Sequence, residues 1–591
     1  MSFIKNVLAT VTGIFLALFL LVIFSIIILA SSSSDPEPYI RDGSVLKIEL
    51  SGMINERTKD DPFAEILSPG STKGISMDHF RSNLKKAAAD KRIKGLWLDL
   101  GYIGGSWANL FEMHDALKTF KESEKFIFAY IGDGGANEAS YMLATVADSI
   151  FAQPEASLEL NGFFIQGEFY KRAFEKFGIK ADVLSTGPYK SAADSYTNDR
   201  FSDSDREQLG VILSQFSNRF VQSISEYSGI NSEEIDNILN ALPTLLASNA
   251  YERGLLDGFM QPFEFKKFLS DKAGSNKLQE VTFNRYNRVR PQTAGLTRPS
   301  GDKIAVVYME GPIMPQVATD IFSAGSNMIS YSQFEKIFND LQDAKDVAAV
   351  VLRVNSPGGA VTTSEILRAH IRKLSESKPV LVSMGAVAAS GGYYISMGAD
   401  SVFAESGTIT GSIGVVLAKL SANELFTDKL GITYDEIKTH QHADWMSLSN
   451  ALTADQRRGL ERDITITYDN FLNLVAEARG LERDYVHTHA QGRVWTGTDA
   501  HEIGLVDGIG TLPEVVRIAA EISGLDEWQV AYYPTPKTFI ETLMESSQRN
   551  VRIGAMSILG LNPNQTILWR DLRSMNRPAT YSIIPFEFIV N

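Results

Sequence analysis

At 591 residues the chain exceeds what a single hydrophobic core supports, so two or more domains are expected. A net charge of −15 excludes nucleic acid as the main partner, because phosphate binding needs a basic surface. The absence of cysteine excludes disulfides, Cys-ligated metals and a thiol nucleophile.

Residues 1–6 carry Lys5, and from Val7 to Ala30 the chain is apolar or small with no charge. A helix of that length spans about 36 Å, enough to cross a ~30 Å hydrocarbon core with some tilt. Positive charge stays on the cytoplasmic side, so the body is expected outside the cytoplasm, held by one retained membrane anchor. The other reading is a cleaved signal peptide. The run is much longer than the ~7–15-residue apolar stretch of such a peptide, and Ile28-Leu29-Ala30 is a poor cleavage site. Residues 31–44 read as a polar spacer.

The body reads as a duplication with a spacing near 250 residues. Leu96-Trp97-Leu98-Asp99-Leu100, running to Gly104-Gly105, has its counterpart in Val350-Val351-Leu352-Arg353-Val354, running to Gly358-Gly359. Ala147-Asp148-Ser149-Ile150-Phe151-Ala152 recurs as Ala399-Asp400-Ser401-Val402-Phe403-Ala404. Gly254-Leu255-Leu256-Asp257-Gly258 recurs as Gly504-Leu505-Val506-Asp507-Gly508. The matches keep their order, so two copies are expected over 45–285 and 303–535, joined by a Pro/Gly-marked linker at 286–302.

Within the second copy, Lys303–Met309 and Val380–Met384 are strand candidates. Val347–Val354 is a nearly continuous apolar strand of the kind buried on both faces. Phe334–Asp343 and Ser364–Ser375 have helical spacing. Strands alternating with helices predict an α/β fold with a largely parallel sheet. Residues 536–591 have no partner in the first copy. Their apolar end, Tyr581–Val590, is read as either a docking strand or a membrane-surface element.

Two Gly-rich segments draw attention. Asn355-Ser356-Pro357-Gly358-Gly359 follows a predicted buried strand, where ligands gather in open α/β sheets and glycine lets backbone N–H groups approach an oxyanion. Its plain alternative is a tight turn. Ala388-Ala389-Ser390-Gly391-Gly392 sets a hydroxyl before a helical stretch; its plain alternative is an N-cap serine. Such a hydroxyl needs a base. The pairs His440/His442 and His487/His489 lie in polar surroundings, lack a third metal partner, and are read as surface residues. Lys190, in Gly187-Pro188-Tyr189-Lys190-Ser191-Ala192, is the other candidate if burial keeps its amine neutral; its plain alternative is an exposed turn lysine. The first copy aligns Glu138 with Ser390, and the second copy has no lysine aligned with Lys190. Each copy thus keeps one of two parts, and a working site would draw on both.

These segments resemble the signal peptide peptidases of the long, duplicated type, also called protease IV. The resemblance rests on Tyr189-Lys190-Ser191-Ala192, Arg353 through Gly359, Ala389-Ser390-Gly391-Gly392-Tyr393, Thr410-Gly411-Ser412-Ile413-Gly414 and Gly492-Arg493-Val494-Trp495-Thr496-Gly497, and covers nearly all of residues 45–535. It implies a tandem crotonase/Clp-protease-like α/β fold and a membrane-anchored Ser/Lys-dyad serine endopeptidase. In that reading Ser390 is the nucleophile, Lys190 the general base, Ser412 the residue that orients the lysine, and Gly359 and Gly391 the oxyanion donors. It implies no metal and no cofactor. The expected partners are signal-peptide remnants and other unfolded polypeptides at the outer face of the cytoplasmic membrane, and further copies of the chain, a tetramer by resemblance. A crotonase-like acyl-CoA enzyme and a non-catalytic membrane scaffold of the same fold are the alternatives.

Overall fold

The computed structural model describes residues 37–57, 74–315, 328–535 and 581–583, with isolated positions before residue 18. The expected anchor at 7–30 lies almost wholly outside the described residues, as does the extension 536–591 apart from its strand at 581–583. Among the described residues no helix is long and apolar enough to cross a membrane.

The first half is built on β1 (Ser44–Met53), β2 (Ile93–Gly104), β3 (Phe126–Ile131), β4 (Ser149–Ala152), β5 (Lys180–Ser185), β6 (Gly258–Phe259) and β7 (Gln279–Thr282). All but β5 form one parallel sheet in the order β7-β1-β2-β3-β4-β6. The second half supplies β8 (Lys303–Glu310), β9 (Val347–Ser356), β10 (Gly358–Ala360), β11 (Val380–Ala389), β12 (Ser401–Ala404) and β13 (Ile409–Gly411). It continues with β14 (Val416–Ser421), β15 (Val494–Thr496), β16 (Gly508–Ile509) and β17 (Gln529–Tyr533). Its large sheet runs β15-β13-β11-β9-β8-β17, with β12 and β16 continuing from β11. Only the β13/β15 pairing is antiparallel there.

Both sheets are covered on both faces, which is why β2 and β9 read as continuous apolar runs rather than alternating ones. On one face of the first sheet, Val45, Trp97, Phe128 and Tyr130 pack against Phe265 and Leu269 of the helix Pro262–Lys272. On the matching face of the second, Ile304, Val306, Val351 and Leu381 pack against Val515 and Ala519 of the helix Leu512–Ile522. Both helices begin with proline in the first turn and a capping box, Gln261/Glu264 and Thr511/Glu514.

The duplication extends to single hydrogen bonds. The Tyr141 hydroxyl donates to the Leu255 carbonyl (2.6 Å), and the Tyr393 hydroxyl to the Leu505 carbonyl (2.7 Å). Asp257 and Asp507 each accept the N–H of the second residue of a short strand, from Ile150 and Val402, both at 2.7 Å. The linker is not free along its length: Tyr286 and Val289 are buried in the first core, and Lys86 Nζ donates to the carbonyls of Tyr286, Asn287 and Val289.

A third sheet stitches the halves together. β5 runs antiparallel to β14 in register from Ser185 opposite Val416 to Lys180 opposite Ser421. The seam continues past β5, where the Thr186 N–H donates to the Val415 carbonyl (3.0 Å) and the Val415 N–H to Thr186 Oγ1 (2.7 Å). On the other side of β14 lies β18 (Tyr581–Ile583), which in turn pairs antiparallel with β10. The 26-residue helix Asp203–Ser228 of the first half also crosses the seam, with Gln215 donating to Asp499 (2.8 Å) and Glu207 paired with Arg493 (2.8 Å).

Candidate active site

β11 runs straight into Ser390, and the helix Gly391–Ser396 leaves it at once. The turn between them is so sharp that Ser390 takes φ 57° and ψ −113°, a conformation that costs a non-glycine residue about 1–3 kcal/mol. Two backbone bonds hold it there: the Ser390 N–H donates to the Gly411 carbonyl (2.8 Å), and the Tyr394 N–H to the Ser390 carbonyl (2.8 Å). The following glycines are required by contact. A Cβ on Gly391 would lie 2.7 Å from Ser364 Oγ and 3.0 Å from the Gly359 nitrogen, and one on Gly392 would lie 2.6 Å from the Ser356 carbonyl oxygen. The Ser390 side chain does not cap the helix it precedes, so the N-cap alternative does not account for it.

The hydroxyl faces Lys190. Lys190 Nζ lies 2.6 Å from Ser390 Oγ, 2.9 Å from the Ser412 carbonyl oxygen and 2.9 Å from Ser412 Oγ. Lys190 is 2% exposed and Ser390 is fully buried. Burial alone pulls the lysine amine down to about 7, with no nearby carboxylate opposing it. The exposed-lysine alternative therefore fails. The lysine reaches this position because β5 is paired with β14, so that the chain leaving β5 enters the second half beside Ser412.

Glycines on the second half make room for the lysine stem. A Cβ on Gly492 would fall 2.4–2.5 Å from the Lys190 N, Cα and Cβ, and one on Gly414 would fall 3.2 Å from Lys190 Cδ. The two glycine segments brace each other, with the Gly492 N–H donating to the Ile413 carbonyl (2.9 Å) and the Ser412 N–H to the Arg493 carbonyl (2.7 Å).

Gly359 lies next to Gly391, its nitrogen 3.0 Å from where a Gly391 Cβ would be. It has φ 156°, and a Cβ there would sit 1.9 Å from the Ile313 carbonyl oxygen, so no other residue fits. The first half keeps this glycine conformation at Gly105, φ 154°, but not the rest of the arrangement. Glu138, in the place of Ser390, folds its carboxylate onto the N–H groups of Asn161 (2.8 Å) and Gly162 (3.2 Å) and closes that position.

Sequence reasoning missed a buried polar group behind the lysine. Gln208 Nε2 donates to the Tyr189 carbonyl (3.3 Å) and to Asp205 Oδ1 (2.8 Å), while its Oε1 accepts the Val494 N–H (3.1 Å). One amide thus ties the residue before Lys190 to the start of β15, next to Arg493, whose carbonyl accepts the Ser412 N–H. Gln208 and Asp205 are 3% and 1% exposed. Burial raises Asp205, and burial together with Asp205 lifts Asp194 to about 6. No spacing signal marks these residues, because they act on backbone groups distant in sequence.

The histidines stay apart from this site. His440 and His442 are exposed; the His487 ring bonds the Tyr468 hydroxyl (3.0 Å), and the His489 ring bonds the Tyr485 carbonyl (2.9 Å). Among the described residues no group of three or more His, Asp or Glu side chains could hold a metal ion. Beside Gly391 lies a narrow cavity of about 10 Å³, room for about one water-sized group, walled by Val361, Tyr394, Val415 and Phe471 with Ser364 and Thr467.

Comparison with known proteins agrees with a duplicated hydrolytic body. The family model described as peptidase family S49 matches residues 119–269 and again 372–526, the first stretch holding Lys190 and the second holding Ser390 and Ser412. The chain is 32% identical to the chloroplastic serine protease SPPA of Arabidopsis thaliana, over 82% of this chain and 70% of that one. It is 31% identical to Protease 4 of Salmonella typhi, over 81% of this chain and 78% of that one. It is 30% identical to Protease 4 of Haemophilus influenzae, over 95% of this chain and 93% of that one.

Proposed function

Because the chain belongs to peptidase family S49 and is a serine protease, we propose that Ser390 is its nucleophile and Lys190 its general base. The single observation that carries this reading is the 2.6 Å contact between Nζ and Oγ, made out of reach of water. A neutral lysine amine has two N–H groups and one lone pair. Three partners surround it: the Ser412 carbonyl and hydroxyl oxygens can accept the two N–H groups, which leaves the lone pair for the Ser390 O–H.

The chemistry then runs in one direction. Lys190 takes the Ser390 proton as Oγ attacks a peptide carbonyl. The N–H groups of Gly359 and Gly391 receive the oxyanion. The protonated lysine hands its proton to the leaving amine, and water, activated by the same amine, releases the acyl group. The cavity beside Gly391 has room for about one water-sized group between mostly apolar walls, so it suits only the smallest apolar side chains next to the scissile bond. Ser412 orients the amine. The substrates that suit an extended edge next to a buried nucleophile are unfolded polypeptides, signal-peptide remnants among them. The uncharged stretch 7–30 would hold the body at the outer face of the cytoplasmic membrane, and the active species is a homo-oligomer.

Ser390→Ala and Lys190→Ala in the full chain are each expected to lower hydrolysis of an unfolded protein by about 10³-fold or more, with the far-ultraviolet circular dichroism of the parent. Because both groups belong to one chain, mixing the two inactive variants should restore nothing. Substantial activity in either variant would sink the assignment.

A further inference from the structure

The linker between the halves is fixed by its apolar residues and leaves its charges in water. Tyr286, Val289 and Ala294 are buried in the first core, and Lys86 holds the carbonyls of Tyr286, Asn287 and Val289. Arg285, Arg288, Arg290 and Arg298 are exposed. No acid occurs from Val281 to Gly301, although the chain as a whole has a net charge of −15. The segment that follows the uncharged stretch 7–30 lies against this linker. Arg290 pairs with Glu37 (2.7 Å), and Arg285 Nη2 donates to the Tyr39 carbonyl (3.3 Å). Tyr39 is 77% exposed while its neighbour Ile40 is buried. Arg41 and Asp42, both exposed, border the same corner, so five arginines stand there against the carboxylates of Glu37 and Asp42. The chain from Ala30 to Glu37 can reach at most about 25 Å, so whatever holds 7–30 has this corner close beside it.

We propose that this corner docks the body on anionic phospholipid headgroups, with Arg285, Arg288 and Arg298 against the phosphates and Tyr39 at headgroup level. Docking here presupposes the reading of 7–30 as a membrane anchor. Arginine suits the role because its planar fork presents paired N–H donors to phosphate oxygens. Each arginine held near such a surface favours the bound state about 5-fold, and the attraction fades beyond a screening length of about 10 Å at 0.1 M salt. The rest of the body carries the opposite net charge and is repelled by the same surface. The contact therefore sets the orientation of the body as well as its distance from the membrane.

The chain has no cysteine, so Thr297→Cys, at an exposed position beside Arg298, gives a single site for a fluorescent dye. The labelled full chain is reconstituted into phosphatidylcholine vesicles with or without about 30% phosphatidylglycerol, and a headgroup-linked spin label serves as quencher. Quenching should be about 2-fold or more stronger in the anionic vesicles. Combined Arg285→Gln, Arg288→Gln and Arg298→Gln should abolish that difference, as should about 0.5 M NaCl. Hydrolysis of a soluble peptide by the combined variant in detergent should stay within about 2-fold of the parent, which shows that it folds. Flotation separates docking from anchoring, since an anchored chain floats with neutral vesicles whether or not the arginines are present. Flotation with neutral vesicles but equal quenching in both lipids overturns the docking proposal and leaves the anchor. Flotation with anionic vesicles alone, lost in the combined variant, sinks the anchor and keeps the docking face. Flotation with neither sinks both.

Discussion

Lys190 is the residue on which both rate and stability should show a pH signature. Burial holds its amine near 7, so kcat/KM should rise with pH through that value and level off above it, as the neutral base accumulates. The stability effect has the same sign. The unfolded chain keeps the lysine proton up to an ordinary pKa of about 10.4, whereas the folded chain releases it near 7. Between those values the unfolded state binds more protons, so stability climbs with pH by up to about 1.4 kcal/mol per pH unit from this one group. Lys190→Met should remove that part of the slope in urea titrations between pH 7 and pH 10. Other groups, such as Lys86 lowered to about 8, remain in both chains and cancel in the difference. Gln208→Ala tests the amide behind the lysine. With Tyr189 and Val494 no longer tied, water can reach the amine and its pKa should rise. The acid limb of kcat/KM should move upward by about one pH unit, and kcat should fall about 10-fold with KM little changed. An unmoved limb would mean that Gln208 only supports the fold. Ser390, Lys190 and Gly359 stood out in the sequence because each sits in a short motif of small or turn residues, whereas the roles of Ser412 and Gly391 came only with the resemblance to a known family. Gln208 did not stand out, because nothing local distinguishes a glutamine that serves a carbonyl 19 residues away and an N–H 286 residues away.

At the scale of elements, periodicity carried far. The continuous apolar run of β9 announced a sheet covered on both faces, and the helices Tyr331–Asp343 and Val361–Ser375 contain the stretches Phe334–Asp343 and Ser364–Ser375 that 3.6-residue spacing marked, each beginning three residues earlier. The seam was not readable. β5 and β14 are separated by more than 200 residues, and their pairing register depends on the fold of both halves rather than on either strand's pattern. The same holds for the glycines that admit the lysine. Gly492 stood in a recognisable motif, but its reason appears only in contact: a side chain there meets the Lys190 backbone at 2.4–2.5 Å, with φ already at 86°. Gly492→Ala should therefore displace the lysine and cut kcat about 100-fold or more, with a stability loss of about 1–3 kcal/mol. Gly229→Ala is the matched control. It ends the helix Asp203–Ser228 at φ 74° with open space around it. It should cost about 1 kcal/mol through backbone strain alone and leave kcat unchanged.

The whole molecule is held in register by charges that neither half could bury alone. Arg353, fully buried on β9, sets Nε 2.8 Å from Glu56 and Nη2 2.7 Å from Glu405 and 3.4 Å from Glu112. Arg81 joins from the first half, 3.1 Å from Glu56 and 2.7 Å from Glu112. Burial by itself would raise Glu112, but Arg81 and Arg353 outweigh it and hold this carboxyl down to about 2. Burial and the adjacent Glu112 push Glu405 well above its ordinary range despite Arg353. Two guanidiniums thus face three carboxyls. Glu56, Arg81 and Glu112 come from one half, Arg353 and Glu405 from the other, so the cluster exists only when the halves dock in the arrangement that also brings Lys190 to Ser390. Replacing a buried ion-pair partner by an apolar residue leaves the opposing charges uncompensated and typically costs 3–5 kcal/mol. Arg353→Met should cost about that much near pH 7 in chemical denaturation. The loss should shrink as pH falls. Without the guanidinium Glu405, already raised by burial and by Glu112, binds its proton still more readily than in the unfolded chain, so the variant gains stability at low pH and loses it as pH rises through that raised value. Because the seam holds the active site together, hydrolysis should fall with the stability loss although Arg353 touches neither Ser390 nor Lys190. A variant that kept full stability and activity across this pH range would show that the β5–β14 pairing alone suffices to join the halves.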